Sequence, residues 1–234
     1  MITRRIQAGL TAYGLSPTPA ETLCRYCNYL LEQNQVMNLT AITQPEQVAD
    51  LHMLDCAALL TVADLAGKQV IDVGTGAGFP GLVLKIVEPS IQLTLLDSLQ
   101  KRVNWLAEIA PRLGAPDVTC VHGRGEEQAL LPAFRDQYDV AVSRAVADLS
   151  LLTELCLPFV KVGGLFLAMK SDDCQEELNR AGRAISILGG QLKPMARYQI
   201  PGTGITRRVV VIEKVAPTPK GYPRRFAKMK KSPL

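Results

Sequence analysis

A glycine-rich stretch after a short apolar run has the residue types to bind a nucleotide-like ligand. Gly74, Gly76, Gly78 and Gly81 fall within eight residues, directly after the run 70–73. Glycine accepts positive φ angles and allows the backbone to approach a ligand closely. A strand, a glycine loop and a helix in this order present free N–H groups at the positive end of a helix dipole. The stretch therefore predicts a ligand-binding loop between a strand and a helix.

Two ligand classes compete for this loop. The spacing Gly76-x-Gly78-x-x-Gly81, with Asp97 further on, matches the dinucleotide fingerprint of NAD-dependent oxidoreductases. Asp72 instead suits a cationic amino-acid group, because a carboxylate is a poor neighbour for a pyrophosphate at a helix start. Asp-x-Gly-x-Gly-x-Gly, beginning at Asp72, looks like motif I of S-adenosylmethionine methyltransferases. A tight turn with no ligand is disfavoured, since so many glycines weaken packing.

The composition is that of a globular protein, and the length suffices for one α/β domain with an appendage. The chain has 234 residues, of which 47% are hydrophobic and 21% charged. No apolar run reaches the roughly 20 residues that a membrane span requires, and the first residues lack the apolar core of a signal peptide. These features predict a cytoplasmic protein that does not bind a membrane.

Positive charge is concentrated at the C-terminus. The total formal charge is +4, and the segment from Lys214 onward holds seven Lys and Arg residues and no acid, which leaves −3 for the rest. Prolines at 217, 219, 223 and 233 forbid a continuous helix there, so we expect an extended or disordered tail. Such a tail is either a solvated segment or a clamp on a polyanion such as RNA.

The six cysteines do not predict a metal site. Cys24-x-x-Cys27 is the one close pair, and the sequence has no second Cys-x-x-Cys or His pair to complete a zinc set. The pair lies in a helical pattern, so we interpret both residues as small apolar side chains.

The order of the predicted elements indicates the fold. Residues 1–60 have helical spacing, and apolar runs that alternate with helices predict strands near 70–73, 92–96, 117–121, 138–142 and 164–169. Alternation of this kind predicts a parallel, doubly wound sheet. Segments 191–199 and 206–213 add a terminal antiparallel hairpin. We therefore predict an α/β class I S-adenosylmethionine methyltransferase fold, with a Rossmann-like, mostly parallel seven-stranded sheet and an N-terminal helical extension. The predicted division is 1–62, 63–214 and a basic tail at 215–234.

Polar residues follow the predicted strands where each strand ends. Asp97, Glu126, Arg144 and Lys170 all occupy such positions, and Ser98 is placed to cap the next helix. In a doubly wound sheet the carboxyl ends of the strands meet at the ligand-binding edge. We therefore expect these side chains to converge on one site.

Several motifs together resemble the RsmG family, also called GidB. The stretch 72–81, Leu95-Leu-Asp-Ser98 with Lys101-Arg-Val103, and Ser143-Arg-Ala145 are similar to that family. Asn38-Leu-Thr40, His52-x-x-Asp55 and the tail segment 218–224 fit the same family. The resemblance implies a bacterial enzyme that uses S-adenosylmethionine to methylate N7 of a guanine in the 530 loop of 16S ribosomal RNA, within the 30S subunit. A monomer is the working expectation.

The resemblance and the strand-end positions together nominate the cofactor residues. Asp97 is placed to accept from the ribose hydroxyls, Glu126 to meet the adenine edge, and Asp72 to help hold the methionine amine. Arg144 could pair with the methionine carboxylate, reach guanine O6, or form a salt bridge at the sheet edge. The complete set is Asp72, Gly74, Gly76, Gly78, Phe79, Asp97, Ser98, Gly125, Glu126 and Arg144.

No catalytic residue is predicted, because guanine N7 carries a lone pair and no proton, so that alignment with the methyl group suffices. His52 and Asp55, one helical turn apart, are interpreted as a structural pair. Positive residues at strand ends and in the tail are predicted to contact RNA phosphates: Lys170, Arg207, Arg208, Arg224 and Arg225. An NAD-dependent oxidoreductase and a non-catalytic RNA-binding protein are the alternative functions.

Overall fold

The N-terminal region is helical, in agreement with the sequence prediction. The computed structural model describes residues 1–144 and 147–234, so Ala145 of the Ser143-Arg-Ala145 motif lies outside the described residues. A π-helix, Ala49–Leu54, and a 3₁₀ turn, Ala58–Thr61, interrupt the α-helices. The α-helices of this region are α1 (Ile2–Ala12), α2 (Ala20–Met37), α3 (Pro45–Val48) and α4 (Asp55–Ala57).

A single mixed sheet organises the rest of the described residues. Its order is β3-β2-β1-β4-β5-β8-β6, with β7 also paired to β8. Neighbours among the first five strands are parallel, and β8 runs antiparallel to β5. This confirms the predicted mostly parallel sheet with an antiparallel end. The strands are β1 (Gln69–Val73), β2 (Gln92–Asp97), β3 (Thr119–His122), β4 (Tyr138–Arg144), β5 (Val160–Ser171), β6 (Gly190–Leu192), β7 (Ala196–Gln199) and β8 (Thr206–Lys214).

The strand predicted at 191–199 is broken into two. Both β6 and β7 pair antiparallel with β8, β6 near Ile212 and β7 near Val209. Pro194 lies between them and has no N–H to donate to a ladder, whereas the Lys193 amide still donates to the Val211 carbonyl at 2.9 Å. The sheet is therefore seven strands wide with an interrupted edge, which is why eight strands are observed.

Helices cover both faces of the sheet. β1 is buried on both faces, as expected for a central parallel strand: Val70 packs with the N-terminal helices, and Ile71 packs with the other layer. The α-helices after β1 are α5 (Gly81–Val87), α6 (Gln100–Arg112), α7 (Gly125–Gln128), α8 (Leu149–Cys156), α9 (Gln175–Ile187) and α10 (Phe226–Lys231).

The N-terminal helices share a hydrophobic core with the sheet. Leu10 and Leu30 belong to the same buried cluster as Leu82 of α5 and Leu106 of α6, and all four side chains are fully buried. Burial of side chains of this kind contributes about 1.5–3 kcal/mol each. The extension is therefore packed against the helix that follows the glycine loop.

The C-terminal tail is folded, so the expectation of an extended or disordered segment is wrong. Residues Phe226–Lys231 form α10, and Met229 is fully buried in the cluster under α8. The Arg135 guanidinium donates to the Thr218 and Tyr222 carbonyls at 2.8 Å each. The prolines do prevent a long helix, but long-range polar contacts order the chain on both sides of them.

The described residues contain neither a membrane-spanning helix nor a metal centre. Among residues 1–144 and 147–234, no helix is long and apolar enough to cross a membrane, and no three His, Cys, Asp or Glu side chains lie together as a metal site would need. All six cysteines are free. Burial raises the pKa of the Cys27 thiol to about 12, so this residue packs as a neutral side chain.

Candidate functional site

The glycine loop lies where β1 ends and is tied to the neighbouring strand. Gly74 and Gly76 have φ angles of 72° and 61°. The Gly74 and Thr75 amides donate to the Leu96 carbonyl of β2 at 2.9 and 3.1 Å. A Cβ at Gly76 would find its nearest neighbour, the Gly74 carbonyl oxygen, 4.0 Å away, so open space lies above the loop there. The loop thus has the open backbone that a close-lying ligand requires.

Two of the four predicted glycines serve packing instead. A Cβ at Gly78 would overlap the Tyr26 hydroxyl of α2, and one at Gly81 would lie 2.8 Å from a Leu95 methyl. The Tyr26 hydroxyl also donates to the Ala77 carbonyl. Gly78 therefore allows α2 to hold the loop from behind, a role different from the cofactor contact that the sequence analysis assigned to it.

Asp72 lies beneath the loop and braces it. The side chain is fully buried. Its Oδ2 accepts from the Thr75 hydroxyl at 2.7 Å and from the Gly81 amide at 2.8 Å, while Oδ1 has no hydrogen-bond partner in the described residues. Burial raises the pKa of Asp72 to about 7, against the opposing effect of the two donors. The structure thus makes Asp72 a brace for the two ends of the loop, whereas the sequence analysis gave it the methionine amine.

Asp97 connects the loop to the end of β2. Its Oδ2 accepts from the Gly76 amide and its Oδ1 from the Leu99 amide, both at 2.9 Å. Ser98 does not cap the next helix as predicted: α6 begins at Gln100, and its N-cap is Leu99, without a side-chain cap. The carboxylate of Asp97 binds the Leu99 amide instead, which leaves the Ser98 side chain exposed beside the site.

Three cavities lie in sequence along the carboxyl edge of the sheet. The Glu126 cavity, about 250 Å³, is lined by residues that include Gly125 and Glu126. The glycine-loop cavity, about 500 Å³, is lined by residues that include Gly76 and Phe79. These two share Gly74, Asp97 and Ser98. The Arg207 cavity, about 650 Å³, includes Lys170 and Tyr198 and shares His52 and Arg144 with the glycine-loop cavity.

The sequence predicts that the polar residues at the strand ends converge, and the positions of the three cavities can be compared with this prediction. Polar residues from the ends of β1, β2 and β4 line adjoining spaces, as the parallel topology requires. An elongated ligand on Gly74 and Asp97 would have one end at Glu126 and the other at Arg144. Eight of the ten nominated cofactor residues line the first two cavities, and Asp72 and Gly78 lie behind them.

Arg144, at the end of β4, is the centre of a polar cluster. It donates to the Leu51 carbonyl at 2.8 Å, to Asp55 Oδ2 at 3.3 Å and to His52 Nδ1 at 2.9 Å. Its guanidinium also lies 4.9 Å from the centre of the Phe79 ring, a cation–π distance. The partners come from the π-helix and the start of α4. Short π segments often occur at functional sites, and this one brings a carbonyl, an imidazole and a carboxylate to one guanidinium.

His52 is held in one neutral form by this cluster. Arg144 can only donate, so Nδ1 of His52 accepts and Nε2 carries the proton, which it can donate to the Thr40 hydroxyl at 2.8 Å. The ring stacks on Phe79 with centroids 4.6 Å apart. Burial, reinforced by the Arg144 charge, lowers the pKa of His52 to about 3. The imidazole is thus a fixed structural group with both nitrogens engaged.

We expect His52 to make the protein less stable in mild acid. Its pKa is about 3 when folded and about 6.5 when unfolded. Between these values the unfolded chain binds a proton that the folded chain does not, so stability falls as the pH falls. From pH 7 to pH 5 the free energy of unfolding should fall by about 2 kcal/mol more in the wild type than in His52→Gln.

Urea unfolding at the two pH values measures this difference. His122→Gln removes the other histidine, which is exposed, and is the matched control that should keep the wild-type pH dependence. Asp72 has its pKa raised and therefore acts with the opposite sign, but it is present in all three proteins. Equal pH dependence in the wild type and His52→Gln would contradict the prediction.

The basic residues predicted to contact RNA differ in availability. Lys170 donates to Glu177 Oε1 at 2.5 Å and to the Ala147 carbonyl at 2.8 Å, with 9% of its side chain exposed. Arg208 pairs with Asp172 at 2.9 Å. Arg207 is 3.9 Å from Asp55 and one third exposed, and Arg225 is exposed.

Arg224 is the clearest departure from the predicted RNA contacts. It donates to Glu154 with its backbone amide at 2.8 Å and with its side chain at 2.6 and 2.8 Å. Glu154 is 1% exposed, and a buried carboxylate requires such a partner. Arg224 therefore anchors the tail on α8. The exposed basic residues of the tail are those that follow it, beginning with Arg225.

Four residues at these cavities were not predicted as site residues: His52, Asp55, Tyr198 and Phe226. Asp55 accepts from the Tyr198 hydroxyl at 2.7 Å as well as from Arg144, and Phe226 of α10 lines the Glu126 cavity. The His52-x-x-Asp55 motif is visible in the sequence, but its spacing predicts only a structural pair. Tyr198 and Phe226 have no local signal, because each reaches the site through a long-range contact.

A family comparison identifies the chain. The family model GidB, described as rRNA small subunit methyltransferase G, matches residues 20–204. The chain belongs to the GidB family of small-subunit ribosomal RNA methyltransferases. This confirms the resemblance seen in the motifs. It also sets aside the oxidoreductase interpretation of the glycine loop.

Curated relatives support the same assignment over most of the chain. A protein named Ribosomal RNA small subunit methyltransferase G from Clostridium botulinum is 44% identical over 210 residues, which span 89% of this chain and 88% of the relative. A protein of the same name from Acetivibrio thermocellus is 45% identical over 89% of this chain and 86% of its own length. The chain is thus an rRNA methyltransferase by family.

Solved structures support the fold. A SAM-dependent methyltransferase from Aquifex aeolicus superposes with a TM-score of 0.56 at 19% identity, covering 76% of this chain and 97% of its own. TYW2 from M. jannaschii, solved in complex with AdoMet, gives 0.52 at 13% identity, covering 66% of this chain and 72% of its own. These similarities confirm the predicted class I methyltransferase fold.

Proposed function

We propose that this GidB protein transfers a methyl group from S-adenosylmethionine to N7 of a guanine in the 530 loop of 16S ribosomal RNA, within the 30S subunit. The observation that carries the proposal is the continuous row of cavities, in which Arg144 and His52 separate a cofactor-sized space from the Arg207 cavity. Such a substrate would place the reaction in the cytoplasm. We expect a monomer to carry it out.

The first two cavities fit S-adenosylmethionine. The open space over Gly76 and the shared wall of Gly74, Asp97 and Ser98 would admit a ligand that runs along the loop. Gly125 and Glu126 would hold the adenine end, Asp97 and Ser98 the ribose, and Gly74, Gly76 and Phe79 the methionine end. When bound, the cofactor supplies a methyl group already activated by the positive sulfur.

The acceptor site suits a nucleophile that has no proton to lose. Both nitrogens of His52 are engaged, Asp55 is bound by Arg144 and Tyr198, and Lys170 is paired with Glu177. None of these three side chains is therefore free to act as a general base. Guanine N7 attacks with a lone pair and needs no base, so the task of the protein is to align it.

Arg144 lies where the glycine-loop cavity meets the Arg207 cavity, in a position that suits contact with the substrate base. Its position at both the glycine-loop and Arg207 cavities places a fixed positive charge between them. A guanidinium there could bind guanine O6, the acceptor next to N7 on the major-groove edge. The base would have to leave its stack to reach the cavity, which favours a loop nucleotide over a paired one.

The exposed bases of α10 and its N-cap provide a surface for RNA phosphates. Arg225, Lys228, Lys230 and Lys231 are all exposed, and they lie beside the Glu126 cavity through Phe226. Phosphate contacts fix orientation and make binding fall with salt. Arg207 would extend this surface to the Arg207 cavity, where the target base would bind.

Methyl transfer to isolated 30S subunits tests the proposal. Tritiated S-adenosylmethionine would be incubated with the protein and either 30S subunits or deproteinised 16S RNA, and the labelled base would be mapped. Label at N7 of one 530-loop guanine is the expected result. Label at another atom or another loop would contradict the finer assignment, and no label on either substrate would contradict methyl transfer itself.

We expect Asp97→Ala to weaken binding of S-adenosylmethionine by about 1–3 kcal/mol, the range for losing hydrogen bonds to a charged group. The structure adds a second reason, because the same carboxylate holds the Gly76 and Leu99 amides. Calorimetry measures the change. Asp172→Ala removes a partly exposed acid outside the three cavities and should leave the affinity unchanged; equal affinity for Asp97→Ala would exclude the ribose role.

A further inference from the structure

The C-terminal segment reaches the Glu126 cavity. Phe226, the first residue of α10, lines that cavity together with Gly74, Gly125 and Glu126. The same ring also lines an outer groove beside Leu130. Phe226 is 37% exposed, although large apolar side chains usually gain by burial. An aromatic ring is thus held, partly uncovered, at the end of the cofactor site.

Contacts on both sides fix the position of this ring. Two residues before it, Arg224 is bound to the buried carboxylate of Glu154 at 2.6 Å. Three residues after it, Met229 is fully buried in the core. Further back, the Lys214 ammonium donates to the Thr218 hydroxyl at 2.5 Å. Phe226 is therefore placed by well-anchored neighbours, while its own side chain is left without comparable cover.

We propose that Phe226 binds the adenosine part of S-adenosylmethionine and that the C-terminal segment is the outer wall of the cofactor site. This inference rests on the proposed function, because it takes the Glu126 cavity as the adenine end. Aromatic rings bind nucleobases by stacking and by apolar contact. A ligand there would cover the exposed part of the ring, which explains why the segment is anchored so firmly around it.

The basic tail would then contribute to cofactor binding as well. As a solvated segment or a clamp on RNA alone, it could be removed without loss of cofactor binding. With Phe226 in the wall of the Glu126 cavity, removal of residues 217–234 should weaken cofactor and RNA binding together. The exposed Lys residues of α10 and the proposed adenine contact, Phe226, then belong to the same C-terminal segment.

Binding of S-adenosylhomocysteine, measured by calorimetry on the full-length protein, tests the role of Phe226. Phe226→Ala should weaken the affinity about 10-fold, the lower part of the range for base stacking. Phe226→Tyr keeps the ring and should restore it to within about 2-fold. Leu130→Ala is the matched control, because Leu130 is exposed in the same groove but does not line the Glu126 cavity; its affinity should equal the wild type.

Amide hydrogen exchange gives a second readout. S-adenosylhomocysteine should slow exchange in residues 226–231 of the wild type and of Leu130→Ala, and should do so much less in Phe226→Ala. Unchanged affinity in Phe226→Ala, or an equal loss in Leu130→Ala, would overturn the inference and leave the proposed function standing. Failure of the wild type to bind S-adenosylhomocysteine would instead overturn the proposed function.

Discussion

Replacing Arg144 with methionine is expected to abolish methyl transfer and to lower the free energy of unfolding by about 3–5 kcal/mol, the cost of removing one partner of a buried ion pair. The Arg144 and Asp55 side chains are only 14% and 6% exposed. Without the guanidinium, the Leu51 carbonyl and His52 Nδ1 lose their donor, and the Asp55 carboxylate keeps only Tyr198 and the more distant Arg207. We expect stability and activity to fall together, because the same guanidinium holds the polar cluster and lies between the glycine-loop and Arg207 cavities.

Arg197→Met is the matched control for this prediction. Arg197 lies on β7 and pairs with Asp172 at 2.9 Å, but its side chain is 64% exposed, and exposed pairs contribute about 0–1 kcal/mol. Urea unfolding and methyl transfer to 30S subunits measure the two effects. Arg144→Lys separates the effect of charge from that of geometry. Lysine keeps the positive charge but lacks the planar guanidinium that hydrogen-bonds to three partners. Methyl transfer near the wild-type rate in Arg144→Met would rule out a role for the guanidinium at the Arg207 cavity.

Gly74→Val is expected to reduce the affinity for S-adenosylmethionine by about 100-fold or more, equivalent to about 2.7 kcal/mol. Gly74 lines both the Glu126 cavity and the glycine-loop cavity, so a branched side chain there would occupy the space where they join. Its φ of 72° adds strain for any L side chain, about 1–2 kcal/mol. The affinity loss and the strain are separate effects and need separate controls.

Gly202→Val isolates the strain. Gly202 has a φ of 75° and no atom within 4 Å of the position of its Cβ, and it lies in an exposed turn between β7 and β8. It should lose a similar amount of stability and bind S-adenosylmethionine like the wild type. Calorimetry and urea unfolding on both variants provide the comparison. Micromolar binding retained by Gly74→Val would exclude a close backbone approach of the cofactor at the loop.

Local patterns carried most of the fold and the cofactor half of the site. Residues close together in the sequence are enough to predict the glycine loop, the alternating strands and helices and the Pro-Gly hairpin. Parallel pairing then brings the strand ends to one edge of the sheet. Gly74, Gly76, Asp97, Gly125 and Glu126 could be nominated in this way, and they line adjoining cavities. Spacing alone could not separate Gly76, which faces open space, from Gly78, which faces Tyr26.

Tertiary structure decided which polar groups are paired and which are free. Arg144 and His52 are 92 residues apart in the chain, and the backbone amide of Arg224 reaches Glu154 across 70. Partners so distant in sequence leave no periodic signal, because their choice depends on which strand ends and helices the packed core brings together. The amino-acid sequence by itself therefore determined the fold, the glycine loop and the basic character of the tail. Only the packed structure showed Arg224 as an anchor on Glu154, and placed Phe226 at the Glu126 cavity.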